Sequence, residues 1–95
     1  MSKVVVVARL LALDDQHTPQ PTAYIVDDVK EGLQKAKEWA IQKVKELYPD
    51  IKEEKLKRFE EEIDEYINAL LNGADYFEPE INLLFFSPVI ARLSE

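Results

Sequence analysis

From Val4 to Leu13 the chain reads VVVVARLLAL, ten residues in which Arg9 is the only polar side chain. A strand buried on one face alternates apolar and polar positions. This one does not. Val4, Val6, Ala8, Leu10 and Ala12 make one apolar face; Val5, Val7, Arg9, Leu11 and Leu13 make a second. Arg9 places its own face away from any helix layer, because a charge under a helix would need a buried partner. The stretch Asp14–Thr22, DDQHTPQPT, has two prolines and no apolar anchor and reads as a loop. It is longer than a tight hairpin needs. Ala23–Val26 is a short second strand.

The period then changes. Val29, Leu33, Ala36, Ala40, Val44 and Leu47 recur at helical spacing, with Ile41 widening the stripe. Asp28 followed by Glu31 is the capping-box spacing, and Pro49 stops the helix. Asp50 followed by Glu53 repeats that spacing. Leu56, Phe59, Ile63, Tyr66, Ile67 and Leu70 form the second stripe, and Asn72–Gly73 is a candidate left-handed terminus. After the acidic stretch to Glu80, Ile81–Leu93 reads as a third strand, bent at Ser87–Pro88 because proline belongs at an edge or bulge.

The order is ββααβ in a single domain, residues 1–95. The expected fold is α+β: a small three-stranded mixed sheet, order 2-1-3, with an antiparallel two-helix hairpin packed on one face. The last strand is expected parallel to the first, through a right-handed crossover. Two helices cover one face only. Val5, Val7, Arg9 and Leu11 of the first strand, with Leu84 and Phe86 of the last, are therefore expected on an open apolar face available for self-association.

Charge sharpens the picture. The net charge is −7, and residues 50–80 hold eleven acidic and four basic side chains, so the whole excess sits on that segment. This disfavours direct binding to nucleic acid or to an anionic membrane and favours a basic protein surface. Glu60/Asp64 and Glu61/Glu65 place like charges one helical turn apart, which is repulsive in an isolated helix. Glu60, Glu61, Asp64 and Glu65 are the candidate partner-binding residues, against the simpler reading of a solvated helix face. Trp39, on the shoulder of the first stripe, joins them as an interface anchor, against the simpler reading of a packed aromatic.

Catalytic and metal signals are thin. There is no cysteine and one histidine, His17, in the loop beside Asp14 and Asp15 at no recognisable ligand spacing. Two glycines, Gly32 and Gly73, leave no phosphate-binding loop. Neither a catalytic residue nor a cofactor is expected. Lys3 followed by an apolar run faintly has the form of a signal peptide, but acidic residues follow with no small-residue cleavage site, and the run is too short to span a bilayer. A cytoplasmic protein is expected.

The sequence therefore reads as a non-enzymatic interaction module, self-associating through a sheet face and engaging a basic partner through an acidic helix. Its most specific form is a small phage-type inhibitor of a nucleic-acid-binding defence protein. The alternatives are a designed or engineered stable scaffold, which the locally consistent helices would suit, and a small-ligand binder or enzyme with a pocket between sheet and loop.

Overall fold

The computed structural model describes residues 3–13 and 18–93. Along the chain lie β1 (Val4–Ala8), β2 (Leu10–Ala12), β3 (Thr22–Val26), α1 (Val29–Leu47), α2 (Glu53–Leu71), β4 (Glu80–Ile81), β5 (Leu84–Phe86) and β6 (Val89–Arg92). The content is α+β. The strands form two three-stranded sheets, β3-β1-β6 and β2-β5-β4, and every neighbouring pair is antiparallel.

The two sheets are halves of one ladder. In every pair of β1 with β6 and of β2 with β5, the residue numbers add to 96. Between the halves, the Ser87 N–H donates to the Arg9 carbonyl at 3.0 Å. At the far ends Leu93 donates to Lys3 at 3.0 Å and Leu13 to Leu83 at 3.3 Å. A single register thus runs from Lys3 to Leu13. These bonds all involve odd-numbered residues, so the even-numbered N–H groups between 84 and 92 point away from β1 and β2. Phe86 spends its outward N–H on the Pro79 carbonyl at 2.8 Å. Pro88 has no N–H to spend, and it stands where β4 has ended. That is an edge position, where proline costs no ladder bond.

The expected parallel pairing of the last strand with the first does not occur. In place of the expected single mixed sheet of order 2-1-3 there are two antiparallel sheets: β3-β1-β6, in which β6 runs antiparallel to β1, and β2-β5-β4. The cause is a turn inside Ile81–Leu93. Asn82 and Leu83 take φ of +50° and +65° and close a two-residue hairpin between β4 and β5. Positive φ at both loop positions is the geometry that matches strand twist, and it usually calls for Asn-Gly. Here leucine takes the second position. The Glu80 carboxylate accepts from the Leu83 N–H at 2.7 Å, and Lys55 of α2 donates to the Asn82 side chain.

The helices lie near the expected positions. Asp28 occupies the N-cap of α1 with extended backbone, but its side chain makes no capping bond, and Lys52 rather than Asp50 precedes α2. Ile51 draws that start inward: its N–H donates to the Tyr48 carbonyl at 3.0 Å, and its side chain packs on the core with Leu56, at the spacing of a hydrophobic staple. At the far end Gly73 has φ +71°, Ala74 donates to Ala69 at 2.8 Å and Gly73 to Leu70 at 3.1 Å. That pair of bonds satisfies the last carbonyls of α2 in a Schellman terminus.

The core follows from parity. Val4, Val6, Ala8 and Leu10 are sealed under the helices with Leu33, Ala36, Val44, Phe59, Ile63, Leu84 and Phe86. α1 lies on β1 and β3, and α2 packs on α1 and β4. The approach of α1 is close: a Cβ on Gly32 would meet Val6 Cγ2 at 2.4 Å. Glycine is the residue that lets this helix lie on this strand.

Candidate functional site

The odd-numbered residues of β1 and β2 build the far side of the sheet. Val5 lies between Ile25 and Ala91, and Val7 between Ala23 and Val89. Val5 and Val7 are half-buried; Ala23, Ile25, Val89 and Ala91 are exposed, Ile25 by 67%. Past Arg9 the face continues through Leu11 and its cross-strand partner Phe85. An apolar face with no helix over it is thus present, and Val5, Val7, Arg9 and Leu11 lie on it. Leu84 and Phe86 do not. They face the helices and are 1% and 0% exposed, because Leu84 pairs with Ala12 and Phe86 with Leu10, both of which point inward. Phe85 takes their place. Ile25, Ala23, Val89 and Ala91 escaped the sequence reading because only the strand register brings them beside Val5 and Val7; alternation within AYIV is the one signal that could have found the first two.

Arg9 joins the two halves of the ladder. Its Nε donates to the Ser87 carbonyl at 2.9 Å and a terminal guanidinium nitrogen donates to Ser87 Oγ at 3.0 Å. Ser87 is a buried polar residue, 6% exposed, and Arg9 satisfies it at the point where Pro88 follows. Arg9→Leu is therefore more than the loss of an exposed charge. A guanidinium that serves a buried serine makes the change costlier, since the serine would lose charge-assisted bonds.

The acidic helix face is largely answered from within the chain. Lys37 of α1 reaches across to Asp64 at 2.7 Å and to Glu60 at 3.5 Å, between the two carboxylates whose repulsion marked them. Burial lowers the lysine pKa, but the bonds and charges of Asp64 and Glu60 outweigh it, and the net pKa stands above its ordinary value. Glu65 accepts from the Tyr76 hydroxyl, and this bond, with smaller effects of desolvation and the charges of Glu65 and Glu62, raises the phenol pKa. Glu61 remains exposed with no ion pair among the described residues. Trp39 is corrected outright: it is 8% exposed and belongs to the core, with an indole N–H that meets no acceptor among the described residues. The shoulder of the α1 stripe is inside because the hairpin and sheet enclose a wider arc than the stripe alone predicts.

Two depressions adjoin these elements among the described residues. A cleft of about 510 Å³ runs between α2 and the hairpin, lined by Lys55, Arg58, Phe59, Glu62, Phe77 and Leu83 among others. Its charges are mixed, and two of its polar groups, Lys55 and Glu80, are committed to holding the Asn82–Leu83 turn. A shallower hollow of about 390 Å³ lies at Leu11, Leu13, Glu78 and Phe85, at the end of the open face. His17, with Asp14 and Asp15, lies outside the described residues. Among the described residues no group of three potential metal ligands gathers, and no helix is long and apolar enough to cross a membrane. The chain matches no protein-family model, no curated protein and no solved structure.

Proposed function

We propose that this protein is a non-enzymatic interaction module that associates through the uncovered side of its sheet, with itself and with a partner whose rim is basic. The observation that supports this reading is the face of Val5, Val7, Ile25, Val89, Leu11 and Phe85, apolar across both halves of the ladder and left without a second layer. Contiguous apolar surface of this kind marks interaction sites. The charge excess remains a guide to the partner, but Glu60, Asp64 and Glu65 each have an internal partner, which shifts the main contact from the helix to the sheet. The helix then contributes steering through exposed carboxylates such as Glu61.

Light scattering across a concentration series tests the self-association. The chain has a mass of 11.0 kDa, and the expected mass at high micromolar concentration is at least twice that. A single 11.0 kDa species throughout the series overturns self-association.

A further inference from the structure

We infer that the second copy docks on the outer edge of β6, strand against strand, about a two-fold axis that places Ile90 opposite Ile90 of the other copy. This rests on the reading of the protein as self-associating, but moves the contact between copies from the open face to the sheet edge and leaves the face for the partner.

Among the described residues β6 has no strand on its outer edge, and all four of its residues are exposed. A strand whose outer edge is unpaired and whose side chains are exposed gains backbone bonds and burial together when another strand joins it. The free edge has a defined length. Toward β5 it is closed by Pro79, whose carbonyl already holds the Phe86 N–H. What remains is Pro88 to Arg92, a slot the length of β6 itself.

The polar groups of that slot are those of its even-numbered residues. They are the Pro88 carbonyl, the Ile90 N–H and carbonyl, and the Arg92 N–H and carbonyl. In the antiparallel two-fold register, the two Ile90 residues exchange both bonds, and each Arg92 N–H donates to the Pro88 carbonyl of the other copy. Proline then stands where its missing N–H forfeits one bond at each end of the pairing. A register centred on Pro88 would lose its central bonds instead. The charges agree as well. The two Arg92 residues lie four positions apart along the ladder, about 14 Å at the usual rise, beyond the screening length of about 10 Å at 0.1 M salt.

The axis is perpendicular to the sheet, so both helix layers lie on one side and both open faces on the other. Six strands in the order β3-β1-β6-β6-β1-β3 then present one apolar face twice as wide. The two Ile90 side chains, each 38% exposed in the single chain, meet on the helix side.

Paired cysteine variants test the register, since the chain has no cysteine of its own. Val89 of one copy faces Ala91 of the other at a non-hydrogen-bonded position, with Cα atoms about 4.5 Å apart, within disulfide reach. An equal mixture of Val89→Cys and Ala91→Cys chains is expected to form the mixed disulfide dimer under mild oxidation, and each variant alone is not. Ile90→Pro is expected to give a monomer by light scattering with unchanged circular dichroism, because the Ile90 N–H points away from β1. A wild-type dimer in which the mixture fails to cross-link, or in which either variant links with itself, overturns this register and leaves self-association standing. A wild-type monomer at high micromolar concentration overturns both.

Discussion

β5 and β6 are two stretches of one strand. They pair with the consecutive strands β2 and β1 in one register, and both are apolar: Leu84, Phe85 and Phe86 against Val89, Ile90 and Ala91. Leu84 and Phe86 are nonetheless sealed in the core, while every residue of β6 is exposed. The difference lies in what surrounds them. β5 has β4 along its outer edge, and Tyr66 of α2 meets Phe86 edge to face at 5.9 Å between ring centres. β6 has no strand beyond it among the described residues. Hydrophobicity states that a segment favours burial; its neighbours decide whether one chain provides it. The unburied half is where a second molecule has most to gain.

The sharpest way to break this comparison is to truncate one residue from each half. Phe86→Ala is expected to cost about 3–5 kcal/mol in urea unfolding, the range for a buried aromatic. Val89→Ala, measured at a concentration where the chain is monomeric, is expected to cost under about 1 kcal/mol. Equal losses would mean that β6 is covered after all.

The covered face can be probed through Gly32. Alanine there favours the helix by about 1 kcal/mol, yet its Cβ would meet Val6 and Val26 at 2.4 to 3.0 Å. Gly32→Ala is expected to destabilise by about 1–3 kcal/mol, the usual cost of overpacking, and a rise in melting temperature would refute the close approach. Arg9→Leu tests the joint between the halves. Its expected cost is about 1–2 kcal/mol, for charge-assisted bonds to a buried serine, and Ser87→Ala in the same chain should recover part of it. A neutral Arg9→Leu would show that the ladder does not need this clamp.

Lys37→Met sharpens the contrast between the sheet and the acidic helix. The expected loss is about 1 kcal/mol, for a mostly buried lysine serving two half-exposed carboxylates. Its pH dependence has a definite sign. The folded-state pKa lies above the ordinary 10.5, so the contribution is whole below pH 10.5 and is lost as pH rises through the higher folded value. Urea titrations of both chains should give a constant difference from neutral pH to about pH 10.5, the ordinary lysine value, and a shrinking one above it. The smallest effect has the opposite sign. Leu83→Gly relieves a positive φ and is expected to stabilise by about 0.5–1 kcal/mol; a destabilisation would mean that the Leu83 side chain holds the hairpin.

What the sequence by itself determined was whatever depends on nearby residues. The two helices were legible because their stripes repeat within one turn, and Gly73 was legible because a left-handed terminus is a local need. The parity of Val4–Ala12 was legible too, so the open side of the first strand, with Val5, Val7, Arg9 and Leu11, could be read directly. Tertiary structure decided the rest. Asn82–Leu83 carries no glycine; its turn is held by Glu80, by Lys55 from α2, and by Ile81 and Leu84 anchored in the core. That turn reverses the C-terminal strand and puts Leu84 and Phe86 inside, Phe85 outside, and Val89 and Ala91 beside Val7 and Val5. Lys37 between Glu60 and Asp64, and Trp39 beneath the surface, likewise depend on residues brought together across the helix hairpin and the core. A strained turn and a bridged acid pair both cost free energy in isolated segments, and only contacts between distant parts of the chain supply the energy that offsets it.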